Sequence, residues 1–104
     1  MEYSVPRHYE RVSVSLEVEW EGAAGKYEAR MSDISLGGCY IDTIGDATIG
    51  ETVSFRVRLP SGHWLRLSGM VVHVEERVGI GLRFPEMSEG YQKLLTELIE
   101  SHRA

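Results

Sequence analysis

From Val12 onward the chain alternates. Val12, Val14, Leu16, Val18 and Trp20 are separated by Ser13, Ser15, Glu17 and Glu19, the period-2 signature of a strand with one buried face. Gly22 and Gly25 bracket a hairpin turn, and a second strand is predicted from about Tyr27 to Ile34. Gly37-Gly38 breaks it, and a short third strand, Cys39 to Thr43, follows. Ile44 to Gly50, with its glycines and Asp46, reads as a loop. Val53, Phe55, Val57 and Leu59 alternate with Ser54, Arg56 and Arg58 as a fourth strand, closed by the Pro60-Ser61-Gly62 turn. A long fifth strand spans Trp64 to Glu75, with Gly69 marking an expected bulge or bend. Glu75 to Arg77 turns into a last strand, Val78 to Phe84.

After Pro85 the period changes. Ser88 is a plausible N-cap, and Tyr91, Leu94, Leu95, Leu98, Ile99 and His102 recur at helical spacing on one stripe. The pattern predicts a helix at about residues 88–102 that lays this stripe on the sheet. Residues 1–11 show no period and contain Pro6, so they are read as an N-terminal arm, with residues 12–104 as one domain. Six short antiparallel strands with glycine corners and a terminal helix give an all-β class: a small, Greek-key-like β-barrel with a C-terminal α-helix.

At 104 residues there is room for one such domain, large enough to fold without staples. A single cysteine, Cys39, excludes an internal disulfide and any multi-cysteine metal site. No membrane-length apolar run and no signal-peptide pattern is present, so the expectation is a soluble cytoplasmic protein with no membrane partner. The net charge of −5 argues against long nucleic acid as a partner. It also disfavours a single-strand-binding barrel, as does the lack of clustered exposed aromatics. The basic residues are nine arginines against two lysines. Arginine's planar fork suits a compact anion or a guanine edge, which lysine cannot grip bidentately.

The catalytic inventory is short. There is no Gly-x-Ser-x-Gly elbow, phosphate-binding loop or His-Glu-x-x-His motif. His8, His63, His73 and His102 are scattered without metal-ligand spacing, and Cys39 reads as a small core residue. Gly79-Ile80-Gly81 lacks the third glycine of a dinucleotide loop and enters a strand, so it reads as backbone packing. No catalytic residue, metal site or cofactor is assigned.

Two clusters remain. Arg7 and Arg11 are the only arginines spaced four apart, which places both on one face whether the segment is helical or extended. Their separation is ~6 Å if helical or ~13 Å if extended, within reach of one small anion. The alternative is an exposed pair that neutralises Glu2 and Glu10. The second cluster is Asp33-Ile34-Ser35-Leu36-Gly37-Gly38 at a strand end. Alternation puts Asp33 and Ser35 on one face with Ile34 opposite, in the core. A carboxylate accepts paired N–H donors such as those of guanine, a hydroxyl adds a further polar group, and Gly38 leaves clearance for a ligand. The alternative is an ordinary side-chain-capped turn closed by glycines.

Taken together, Arg-x-x-x-Arg at Arg7 and Arg11, a first strand, a hairpin, then Asp-x-Ser-x-x-Gly at Asp33, Ser35 and Gly38 resembles a PilZ domain. The likeness covers nearly the whole chain and continues through Pro60-Ser61-Gly62 and Gly79-Ile80-Gly81-Leu82-Arg83-Phe84. The resemblance implies a six-stranded barrel with a C-terminal helix that binds cyclic di-GMP on its outer surface. It implies that Arg7 and Arg11 grip phosphate and the O6/N7 edge of guanine, that Asp33 and Ser35 hold the guanine or its neighbouring groups, and that Gly38 gives clearance. Many members carry an arginine where this chain has His8. His8 and Gly37 are secondary candidates. The expectation is a cyclic di-GMP receptor that changes the conformation of its arm and controls an unidentified protein effector, as a monomer or homodimer. The rival is a protein-interaction adaptor with the same barrel and no nucleotide.

Overall fold

The alternating residues form strands, and their apolar faces meet inside a closed barrel. The computed structural model describes residues 10–103. Its elements are β1 (Val12–Gly22), β2 (Gly25–Ile34), β3 (Gly38–Asp42), β4 (Thr52–Arg58), β5 (Trp64–Glu75), β6 (Gly79–Arg83) and α1 (Glu89–Ser101). The strands close in the order β1-β2-β3-β6-β5-β4, every pair antiparallel. The sheet therefore has no free edge to manage. Arg7 and His8 lie outside the described residues, as does most of the expected arm.

Inward positions pack one core. Val18, Met31, Ile34, Cys39, Ile41, Val53, Val57 and Val71 are fully buried, and Trp20 nearly so. Burying such a side chain contributes ~1.5–3 kcal/mol. On the outer face Arg56 pairs with Glu19, and Arg58 with Glu17. Exposed pairs of that kind are worth ~1 kcal/mol at most. The inner faces hold the barrel together.

The helix begins as its sequence indicates, with Ser88 Oγ accepting from the Tyr91 N–H at 3.3 Å. Leu95, Leu98 and Ile99 are buried in the common core. Tyr91 and Leu94, on the same predicted stripe, remain exposed at the edge of that contact. Arg103, past the helix, pairs with Glu10 and ties the C-terminal end to the approach to β1.

Register corrects the expectation at Gly69. The irregularity of β5 falls between Val71 and His73, opposite Leu82 and Gly81. Gly69 is in register with Val53, and a Cβ there would come within 3.0 Å of Leu82 Cβ. The missing side chain makes room for a core leucine, and the β4–β5 register runs through Gly69 without a bulge.

The loop after β3 closes the barrel end opposite the approach to β1. Thr43 Oγ1 accepts from the buried Trp20 Nε1–H at 3.0 Å and from the Gly45 N–H at 3.2 Å. A Cβ on Gly45 would strike the Trp20 and Tyr27 rings, which stack at 4.8 Å. Glu51 takes the Ala23 N–H on Oε2 and the Thr48 N–H on Oε1.

Candidate functional site

Near its end β2 departs from alternation. Met31 pairs with Ile41 but Asp33 pairs with Tyr40, so one residue of β2 is extra. Met31 and Ile34 both stay buried, and Ser32 and Asp33 between them are only part-buried. A bulge of this kind re-aims side chains at a strand end. Here it frees two consecutive polar residues from the core. Ser32 Oγ donates to Asp42 Oδ1 at 3.1 Å.

Asp33 meets Arg11. Arg11 Nη1 donates to Asp33 Oδ1 at 2.5 Å across 22 residues of chain. The two side chains are 58 % and 32 % exposed. A guanidinium carries five N–H donors and a carboxylate two oxygens. Among the described residues this contact accounts for one donor and one oxygen.

Ser35 and Gly38 have other work. Ser35 lies beyond β2 and is buried, so it does not share the outward face of Asp33 as simple alternation suggests. Its hydroxyl accepts from the Gly37 and Gly38 N–H groups at 3.1 and 3.2 Å, and its N–H donates to Gly38 O at 2.8 Å. The Gly37 carbonyl accepts from the Phe84 N–H at 2.8 Å. These contacts build the side-chain-capped turn that is the simpler reading of this segment. Gly38 is also buried, and a Cβ there would sit 2.1 Å from the Leu82 carbonyl oxygen. The clearance it provides is for the β6 backbone. The turn thus fixes where β2 ends and so where Asp33 points.

Cys39 is fully buried, and that burial pushes its thiol far above the ordinary range, with Asp33 adding to the effect. It stays protonated and packs as a core residue. Among the described residues no group of three or more His, Cys, Asp or Glu is placed to hold a metal ion. No helix among them is long and apolar enough to cross a membrane.

One neighbour of the site is not singled out by the sequence motifs. Tyr40 stands directly across from Asp33, and counting alternation from Gly38 along β3 would have turned it outward. Its hydroxyl donates to Glu75 Oε1, and its ring is 6.4 Å from that of His73. Partial burial and the Glu75 contact push the Tyr40 hydroxyl up to about 12. The Gly79-Ile80-Gly81 run is indeed backbone packing, because a Cβ on Gly79 would come within 2.4 Å of the Tyr40 ring.

Arg11 and Asp33 lie on the outer wall of the barrel, both part-exposed. Two concavities lie elsewhere, one of about 280 Å³ beside Glu19, Arg56 and Arg66, the other of about 400 Å³ beside Met87, Tyr91 and Arg66. Neither includes Arg11 or Asp33.

Comparison with known proteins agrees with this architecture. The family model of the PilZ domain matches residues 6–101. The PilZ domain of Escherichia coli YcgR, solved with cyclic di-GMP, superposes with a TM-score of 0.79 at 19 % identity, over 92 % of this chain and 90 % of that one. The Bacillus subtilis inhibitor of motility gives 0.77 at 20 % identity, over 91 % of this chain and 49 % of that one, so this chain spans about half of that protein. The PilZ domain of CeSA from a cellulose-synthesizing bacterium gives 0.71 at 20 % identity, over 88 % and 96 %. At these identities the structures share a fold. No curated protein matches the sequence. With a matched span from Pro6 to Ser101 and the barrel it describes, the chain belongs to the PilZ domain family.

Proposed function

We propose that this chain is a cyclic di-GMP receptor module with no catalysis of its own. The observation that carries the reading is the Arg11–Asp33 pair, drawn together across 22 residues of chain on the outer wall with both side chains part-exposed. The family supports it, since PilZ domains are receptor and regulatory modules and the YcgR relative was solved with this nucleotide.

The chemistry fits the ligand. Cyclic di-GMP offers two phosphates and two guanines. The Arg11 fork takes a phosphate or the O6/N7 edge of a guanine, and Asp33 accepts from the guanine N1 and N2 hydrogens. One bidentate arginine–guanine contact is worth ~1–3 kcal/mol, and micromolar affinity needs about 8. A second arginine, Arg7, and base stacking supply the remainder. Ser35, Gly37 and Gly38 shape the turn that aims Asp33, and His8 takes the place of a further arginine.

Binding competes with the Arg11–Asp33 contact. Because Arg11 joins residues 1–11 to the barrel, exchanging that contact for ligand reorganises the segment, and an altered arm is what a protein effector reads. The setting is bacterial and cytoplasmic, the module carries no resident cofactor, and it works as a monomer or homodimer.

Isothermal titration with cyclic di-GMP tests the reading. Binding is expected, and Arg11→Ala weakens it roughly ten-fold or more. Asp33→Ala weakens it similarly and erodes the preference over guanine-free cyclic dinucleotides. Absence of heat and of thermal shift, with a protein partner still retained, replaces this reading with a nucleotide-independent adaptor. Amide exchange in residues 1–11 that ignores saturating ligand removes the arm from the mechanism.

A further inference from the structure

The aromatic rings of the barrel differ in what covers them. Tyr27 stacks on Trp20, and Trp64 lies under the Arg56 guanidinium at 4.2 Å with Arg58 at 5.6 Å. Tyr40 is arranged otherwise. Its ring rests over the outer side of β6, where Gly79 and Gly81 leave no side chains: a Cβ on Gly79 would meet Cε2 at 2.4 Å, and one on Gly81 would meet Cδ1 at 3.8 Å. Among the described residues the one ring paired with it is His73, at 6.4 Å and tilted by 46°, so the two do not lie face to face. Glu75 holds the far end through the hydroxyl. With its hydroxyl committed to Glu75, Tyr40 is part-buried and keeps a share of its surface exposed on the outer wall.

Position completes the argument. Asp33 and Tyr40 are opposed across β2 and β3, on the same outer wall. Among the described residues, the aromatic side chain directly across the sheet from Asp33 is Tyr40. We propose that Tyr40, laid on the glycine floor of β6 and anchored by Glu75, is the stacking platform for a guanine of the bound nucleotide. This rests on the receptor reading and extends it to a residue outside both motifs. Base–aromatic stacking needs a π face and a fixed ring, and the glycines with Glu75 provide both.

The test uses cyclic di-GMP with the intact chain and two variants, Tyr40→Phe and Tyr40→Leu. Phenylalanine keeps the ring on the glycines and loses only the Glu75 anchor, so its affinity falls modestly and stays clearly above that of leucine. Leucine covers the glycines without a π face, so affinity falls roughly five-fold or more while the thermal midpoint of the free protein stays near the parent value. NMR of the parent complex should show nuclear Overhauser contacts between the Tyr40 ring and a guanine H8 shifted upfield. Leucine binding as tightly as the parent, or phenylalanine as weak as leucine, overturns the platform while leaving the receptor reading intact. Should the leucine variant fail to fold, the H8 contact in the parent decides, and its absence overturns the platform. If the parent protein does not bind cyclic di-GMP at all, both readings fall.

Discussion

The two ends of the barrel use polar side chains in opposite ways. At the end closed by the β3–β4 loop they turn back on the protein: Thr43 satisfies Trp20 and Gly45, and Glu51 satisfies Ala23 and Thr48. At the Arg11 end the turn at Ser35 is likewise self-satisfied, but among the described residues Arg11 and Asp33 have only each other as side-chain partners and both remain part-exposed. Side chains whose donors and acceptors are all committed hold structure. Those with capacity to spare can exchange one partner for another, which is what a ligand site requires. Arginine content alone does not separate the cases, since Arg56 is matched in register by Glu19 and covered by Trp64.

The sharpest way to break the contrast is at Gly38. If its role lies in the sheet, Gly38→Ala must disrupt the protein before it touches any ligand. The new methyl meets a backbone oxygen at 2.1 Å, which cannot rotate aside. We expect a loss of about 3 kcal/mol in urea unfolding. A stable Gly38→Ala protein with lost nucleotide binding would return Gly38 to the ligand.

Thr43→Val removes the acceptor for two N–H groups at the opposite end while keeping side-chain shape. Stranding the buried indole N–H should cost about 2 kcal/mol of stability. Nucleotide affinity should remain within two-fold. Arg11→Ala is its mirror image, lowering affinity with little effect on unfolding, because an exposed pair of this kind contributes ~1 kcal/mol at most. If both variants lose stability and affinity together, the ends are coupled and the division fails.

How far the sequence anticipates this division depends on whether a feature is local. Strands and the helix follow from periodicity, because burial of one face imposes it on each segment separately. The Pro60-Ser61-Gly62 turn is local in the same sense, with Gly62 at φ +93°. Bulges are not, since each is a mismatch between two strands. The extra residue that keeps Ser32 and Asp33 both out of the core becomes visible only when β2 is paired with β3, and the β5 bulge only against β6. Gly38 illustrates the same limit: its motif position suggests a ligand, yet the atom that demands glycine belongs to Leu82, far along the chain. The candidate pair itself was accessible as two separate residue patterns, Arg11 and Asp33, while their contact was not. Tyr40 needed the register as well, because its significance comes from the glycines of β6 beneath it.

The smallest effect tests whether charge, and not shape alone, fastens the loop end. Hydrogen bonds from the Ala23 and then the Thr48 N–H hold the Glu51 carboxyl below its ordinary value of 4.5, and Gly22 leaves space for it, since a Cβ there would sit 2.6 Å from Oε2. A carboxyl that titrates lower in the folded than in the unfolded chain contributes stability that is complete above the unfolded value and fades as pH falls through the folded one. Glu51→Gln leaves one accepting oxygen and turns an amide donor toward the other N–H. At pH 7 the variant should be less stable by about 1 kcal/mol or less, since the group is part-exposed and solvent screens its charge. That difference should shrink as the pH is lowered through and below the usual carboxylate range, where the parent loses its ionised form. Paired urea titrations at pH 7 and at acid pH measure it. A gap that holds constant with pH would mean that geometry alone fastens Glu51, and that the loop end differs from the Arg11 end by packing and not by committed charge.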